Sequence, residues 1–562
     1  MKRIHFSPVA QLFLCFSFIL IAFALSRWIE TDGGKILIHK IDIEITETSC
    51  AAGKIYRPLN AQSLNQRPAV VLVPGLQNDK DGMSSIAIEL AKRGYVALSI
   101  DNFGQGSTPS RSLLPEESVI DSAYSLLKSQ SFVDKERIGI VGFSVGTIDT
   151  LLASELQNFA SIILLAPYED LARIKMSDSI IRKIHIISPF FNEFTQFRAS
   201  ESLIETNKSN QVDQIQTNIF HFIMPIHPRI IAKVLDQIHA DLQIPNDAPL
   251  WFNTNLQSAW IRDLCQAICF VFWLIVILPV SELPARIPKN HLAITSQKIS
   301  SNAVRCLPFL WIVSGIILYI IALIISYFLY HNSNLFYRFF SISGNLIWMS
   351  SMVIFWIIPV TIWQKKKDKE AFSHINVGNF LISLLIALTV LLWIYGTMRL
   401  FSRVFMIDLH FIFPFFRSLD KKWLLFLSVF FISSLFFGLY SDIFASAYRN
   451  KHSYIRFLLI GIGSQLIFLA IEYIPVVFFQ TSGWEWLFSS VRGPTNFMAG
   501  LKEFNGFVWG FGSLMALFNV VISGALFLLQ TKLAQQKFNN LFVSFVCSGL
   551  YSWLLISGTT QF

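Results

Sequence analysis

Beyond Arg262 the chain becomes a succession of apolar runs, and these limit its fold more than any other feature. They fall at about residues 263–280, 307–330, 338–363, 379–397, 423–442, 456–480, 506–530 and 541–558. Each approaches the ~20 apolar residues that a helix needs to cross a bilayer. A further run, Pro8 to Leu25, follows the basic pair Lys2-Arg3. The whole chain is 53% hydrophobic and 14% charged, with a mean hydropathy of +0.52, too apolar for a soluble protein. Residues from Trp28 to Trp260 nevertheless carry an ordinary mixture of charge, Gly and Pro. Three parts are therefore expected: an N-terminal apolar segment at 1–27, a soluble domain at 28–260, and an all-α region of about eight spans at 261–562.

Charge gives the expected orientation. Lys2-Arg3 keeps the N-terminus inside, and no small-x-small cleavage site stands out before Arg27 and Glu30. The segment thus reads as an uncleaved signal anchor with the next domain on the outer face of the plasma membrane. The connections at 281–306, 364–378, 443–455 and 531–540 then lie inside, and all carry Lys or Arg. One stretch departs from this scheme. Met398 to Trp423 is basic through Arg399, Arg403, Arg417, Lys421 and Lys422, and its apolar part is broken by Asp408, His410 and Pro414. It reads as an interfacial or re-entrant segment; a crossing there would reverse every later loop.

The net charge of +9 is accounted for by such loops, Lys365-Lys366-Lys367 above all. A nucleic-acid partner is not expected. Of six cysteines only Cys50 falls within 28–260, which leaves that domain without an internal disulfide.

Within the soluble domain, strands alternate with helices. Lys35 to Ile45 and Ala52 to Tyr56 read as strands. Pro68 to Val73 and Tyr95 to Ile100 are near-continuous apolar runs, typical of strands buried on both faces. Helices are expected at Gly82 to Arg93 and at about Pro115 to Ser129. The strand Arg137 to Val141 runs into Gly142-Phe143-Ser144-Val145-Gly146, and a helix follows from Thr147. That corner strains the serine backbone and lifts its hydroxyl clear of the sheet. The glycines are needed because strand and helix approach too closely for side chains. The expected class is α/β, with a mostly parallel sheet covered on both sides.

From Lys35 to Ala240 this succession resembles the alpha/beta-hydrolase superfamily, nearest its esterase and dienelactone-hydrolase-like branch. The resemblance rests on Pro74-Gly75, on Asp101-Asn102-Phe103-Gly104-Gln105-Gly106-Ser107, and on the corner at Ser144. Pro74 stands where the family usually has His, and Thr147 where a second Gly is frequent. The resemblance implies a serine nucleophile at Ser144 and an oxyanion site built from the Leu76 and Val145 backbone N–H groups. It also implies a base on the turn before the last helix, where His221 begins His-Phe-Ile-Met-Pro-Ile-His-Pro-Arg. His227 is the alternative base, whereas His185 sits in an apolar strand and reads as structural. The acid position aligns with Asn192, with Glu193 next to it; Glu169 or Asp170 is a third choice. Asn can orient an imidazole but stabilises the imidazolium less than a carboxylate does.

No Walker loop, zinc constellation or dinucleotide fingerprint occurs, so neither a metal nor a nucleotide cofactor is expected. Two functions fit. One is a membrane-anchored serine hydrolase acting on a lipid or other acyl-ester substrate at the bilayer, in an arrangement similar to that of eukaryotic GPI inositol-deacylases. The other is a binding-only hydrolase-like domain on a transport or scaffold protein, suggested by the missing Asp. Oligomeric state is not encoded in any visible pattern.

Overall fold

The apolar run at 68–73 becomes β3 (Arg67–Val73), and every one of its residues is buried. Side chains alternate across a strand, so Ala69, Val71 and Val73 enter one core and Val70 and Leu72 the other. The first core is closed by α3 (Val119–Ser129) and α4 (Gly146–Leu156); the second by α2 (Ser84–Lys92) and α5 (Pro228–Leu242). A strand buried on both faces has no polar position to offer, which explains the unbroken apolar sequence.

These elements come from a computed structural model that describes residues 7–47, 49–75, 78–106, 108, 118–167, 183–189, 211–243, 253–285, 303–332, 340–367, 377–405, 409–410, 414–416, 423–444, 526–527, 529–530, 533 and 540–559. The sheet adds β1 (Ile36–Thr46), β2 (Ser49–Pro58), β4 (Val96–Ile100), β5 (Val133–Phe143), β6 (Ser161–Leu165), β7 (Lys183–Pro189) and β8 (Gln211–Thr217). Its order is β1-β2-β4-β3-β5-β6-β7-β8. The β1/β2 and β2/β4 pairings are antiparallel, and all the others are parallel. Val71 pairs with Ile140, Ile140 with Ile162, and Ile162 with Ile184. From β3 the chain turns to β4 on one side, whereas from β5 it proceeds to β6 on the other. The carboxyl ends of β3 and β5 therefore flank a topological switch point, where α/β sheets open a crevice.

One strand was not expected. β8 has only Val212 and Ile215 as apolar residues, three apart, and an edge strand needs no alternating apolar face. The strand that leads into Ser144 also begins earlier than Arg137, at Val133.

Outside the sheet the described residues are mostly helical. The N-terminal run is α1 (Pro8–Glu30), started by Ser7 accepting from the Ala10 N–H. It packs along α6 (Ala259–Ala285), with the Phe18 and Phe272 rings stacked at 4.8 Å. Then come α7 (Ala303–Asn332), α8 (Phe340–Lys367), α9 (Val377–Phe405), α10 (Trp423–Phe444) and α11 (Asn540–Thr559). Among the described residues, four helical stretches are long and apolar enough to cross a membrane: Pro8–Glu30, Ala259–Val280, Phe380–Phe405 and Leu424–Ser441. The expected span at 456–480 lies outside the described residues, as does most of the one at 506–530. Between α9 and α10, β9 (Leu409–His410) pairs antiparallel with β10 (Pro414–Phe416), a local feature the sequence did not suggest.

The sheet region is joined to α6 through α2. The Glu89 carboxylate accepts from the N–H groups of Ser258 and Ala259 at 2.9 Å each, capping the helix start. Arg93 bonds Glu89 and reaches the carbonyls of Asn253 and Leu256. Ser85 donates to Asp263, which also pairs with Arg262.

Candidate active site

β5 ends at Phe143, and the next residue, Ser144, has φ of +54°. A left-handed backbone costs a non-glycine residue roughly 1–2 kcal/mol, so the surroundings must hold it there. Its N–H donates to the Leu165 carbonyl at 2.9 Å, and its own carbonyl accepts from the Thr147 N–H at 3.0 Å. The flanking glycines have steric reasons. A Cβ at Gly142 would stand 2.2 Å from Thr150 Oγ1, and one at Gly146 would stand 2.4 Å from the Pro74 carbonyl oxygen. The strand–helix corner can be this tight only without those side chains. Gly75, just after β3, obeys the same constraint: a Cβ there would meet Ser144 Cβ at 2.9 Å. The segment after β3 thus presses directly on the serine.

His221 opens a 3₁₀ turn (His221–Ile226) between β8 and α5. Its Nε2 lies 3.0 Å from Ser144 Oγ, and its ring stands 5.0 Å from that of Phe143. Serine and histidine are both buried. Burial pushes the imidazole down to about 3, so at neutral pH it is uncharged and can accept the serine proton.

The other histidines are used elsewhere. His227 accepts from the Arg229 N–H and caps α5. His239 bonds the Tyr95 hydroxyl at 2.7 Å. His185 is buried in β7 and bonds Asp241 at 2.8 Å. Asp241 also accepts from Ser161 and Lys183. Burial would raise the Asp241 carboxyl, but these donors outweigh it and hold the group below its ordinary value. Asp241 was not singled out in the sequence because it ends a helix and its partners arrive from two strands.

Val145 follows the serine at the start of α4, where helix N–H groups favour negative charge. Leu76, Asn192, Glu193, Glu169 and Asp170 lie outside the described residues. Asp101, expected in a family loop, is buried and turned toward the segment after β3. It accepts from the Lys80 N–H and pairs with Lys80 Nζ, both at 2.8 Å. Gly106 covers it closely, since a Cβ there would lie 2.0 Å from Asp101 Oδ2. The run Asp79-Lys80-Asp81 was the overlooked signal: charges placed between a buried strand and a buried helix need partners. Among the described residues, no three His, Cys, Asp or Glu side chains gather as a metal site would require.

Comparison with known proteins bears on this geometry. Residues 28–213 match the PET hydrolase-like family. The "Probable 2-oxo-3-(5-oxofuran-2-ylidene)propanoate lactonase" of Bradyrhizobium sp. is 33% identical over 100 residues, 16% of this chain and 40% of that protein. Lipase 1 of Moraxella sp. (strain TA144) is 28% identical over 119 residues, 21% of this chain and 37% of the lipase. The chain thus spans about two fifths of the length of these curated relatives. A Pyrococcus furiosus esterase structure aligns with a TM-score of 0.32 at 15% identity, covering 38% of this chain and 96% of the esterase. Sheet order, the strained corner at Ser144 and the match over residues 28–213 together make this part of the chain a member of the alpha/beta-hydrolase superfamily.

Proposed function

We propose that the chain is a membrane-anchored serine hydrolase that cleaves an ester, thioester or amide through an acyl-Ser144 intermediate. The observation that carries this reading is the 3.0 Å approach of His221 Nε2 to a serine hydroxyl held at positive φ. The imidazole takes the Oγ proton as Oγ bonds the substrate carbonyl carbon, and the carbonyl electron pair moves onto oxygen. The Val145 N–H, at a helix start, stabilises that oxyanion, with a second donor assigned to Leu76. As the intermediate collapses, the bond to the leaving group breaks and the imidazolium passes its proton to the departing atom. Water then repeats the sequence on the acyl-serine and releases the acid; an acceptor other than water would use the same residues. The orienting role falls to Glu193 or Asn192, with Glu169 or Asp170 as the further choice.

A lipid or cell-envelope acyl ester is the substrate class this reading favours. Two relatives bear the names of ester-cleaving enzymes, a lipase and a lactonase. Large apolar side chains also stand exposed along the apolar helices, Phe13 at 73% and Leu424 at 81%, and lipid would cover them. On this reading residues 1–27 and 261–562 embed the chain in the plasma membrane, with 28–260 on its outer face.

A fluorophosphonate probe applied to the full chain tests the chemistry. The expected result is covalent labelling that Ser144→Ala abolishes. Equal labelling of the two proteins, or none of either, would refute the acyl-serine mechanism. Lipid extracts of cells with and without the chain would then identify the ester consumed.

A further inference from the structure

The C-terminal end of α1 carries two charged residues, Arg27 and Glu30, and Glu30 is completely buried. Its two carboxylate oxygens face different partners. Oε2 accepts from Arg27 at 3.2 Å, and Oε1 accepts from Lys54 Nζ at 2.8 Å. Lys54 lies on β2 and is buried as well, and its ammonium also reaches Asp81 Oδ1 at 3.1 Å. An ammonium without water needs such partners, since an uncompensated buried charge is strongly destabilising. Burial alone would push the Lys54 ammonium down; Glu30, with Asp81, outweighs it and holds the group well above its ordinary value.

Asp81 belongs to the turn that follows the segment pressed on Ser144. Asp79 Oδ1 accepts from the N–H groups of Asp81 and Gly82, and the Lys80 carbonyl accepts from Ser99 Oγ on β4 at 2.6 Å. Asn78 is wedged against Gly82, where a Cβ would lie 2.0 Å from Asn78 Oδ1. The Asn78 N–H then donates back to the Gly75 carbonyl at 3.2 Å, and Gln105 Nε2 donates to the same oxygen at 3.0 Å. Two donors on one oxygen fix the direction of the Gly75 carbonyl. Gly75 itself lies against Ser144.

We propose that Lys54, charged and held by Glu30 from α1, is a positioning residue for the reaction at Ser144. It acts through Asp81 and the Asn78–Gly82 turn on Gly75, and it touches no reacting atom. Reactivity at Ser144 therefore depends on how the end of the N-terminal apolar helix sits on β2. The inference rests on the acyl-serine reading proposed above.

The test measures fluorophosphonate labelling rates and p-nitrophenyl ester kinetics on the full chain, with melting temperature recorded for each variant. Wild type and Ser144→Ala are run first; absence of Ser144-dependent labelling overturns the acyl-serine reading and this inference with it. With wild type active, Lys54→Met is expected to slow labelling at least tenfold and to lower kcat by a similar factor, with KM changed less than twofold. Lys54→Arg keeps the charge and should recover most of the rate, and Glu30→Gln should fall between. Glu89→Gln supplies the structural comparison, because Glu89 is equally buried but caps α6 away from the Gly75 segment. It should lower the melting temperature and leave the labelling rate of the folded protein unchanged. Wild-type rates in Lys54→Met, or in Glu30→Gln should Lys54→Met not fold, overturn the positioning role and leave the hydrolase intact. So does a loss of rate in Glu89→Gln that matches its loss of melting temperature as closely as in the Lys54 variants.

Discussion

His221 at the carboxyl end of the sheet and Lys54 beneath the end of α1 are both sealed from water, yet they take opposite protonation states. Burial drives the imidazole down to about 3, and it faces a neutral hydroxyl. Lys54 faces two carboxylates and stays charged. Dehydration disfavours the charged form in each place, and the partner decides whether that preference survives. The candidate site keeps a proton acceptor through burial of the ring. The junction with α1 and α6 keeps its shape by having many compensating charges: Arg27, Glu30, Lys54 and Asp81, the pair Arg262 and Asp263, and the pair Glu89 and Arg93. Chemistry and attachment are thus built from different polar groups within one connected structure.

The largest expected effect breaks the site and spares the junction. His221→Ala removes the proposed base for Ser144, and ester turnover should fall by roughly 10⁴–10⁶. Its labelling loss should far exceed any loss of melting temperature, because the imidazole is neutral in the folded protein and the substitution adds no charge. Unchanged turnover would show that the imidazole is not the base. Glu89→Ala does the reverse. It strands Arg93 and uncaps α6, so about 3–5 kcal/mol of stability should disappear in a denaturant titration. The labelling rate of the remaining folded protein should hold.

Gly146→Ala sharpens the contrast at the corner itself. The added methyl meets the Pro74 carbonyl, which cannot rotate away, so helix and strand must separate at a cost of about 1–3 kcal/mol. Here stability and labelling should decline together, whereas the two preceding variants separate them.

The smallest effect is a pH profile of labelling. An imidazole depressed from 6.5 to about 3 stays neutral through mildly acid solution, so the rate should change little between pH 8 and 6. The sign for stability agrees. Keeping His221 neutral in the folded state stabilises it fully above 6.5, and that contribution fades as pH falls from 6.5 toward about 3. An acid limb near 6.5 would instead reveal a carboxylate beside the ring, and would favour Glu193 over Asn192 as the orienting residue.

Much of the hydrolase region was legible because its signals are local. Pro68 to Val73 and Tyr95 to Ile100 could only be strands buried on both faces, and the corner at Ser144 announces itself by glycine spacing. His221 could be ranked above His227 by its place before the last helix, and the structure then gives His227 to the α5 cap. β8 escaped notice because an edge strand with polar residues carries no period. The ion pairs of Lys54 and Glu30 escaped for a different reason: nothing in the chain near Lys54 indicates that a carboxylate 24 positions earlier will cover it.

Sequence alone determined the division into a sheet-forming region and apolar helices, along with the serine's place at a strand–helix corner. Those properties follow from hydropathy period and backbone sterics, which act between neighbours in the chain. Only the tertiary structure decided which histidine meets the hydroxyl, and that Lys54 ties the end of α1 to the turn behind Gly75. Such contacts join residues far apart in the chain, and burial makes them matter, because groups removed from water must find one another.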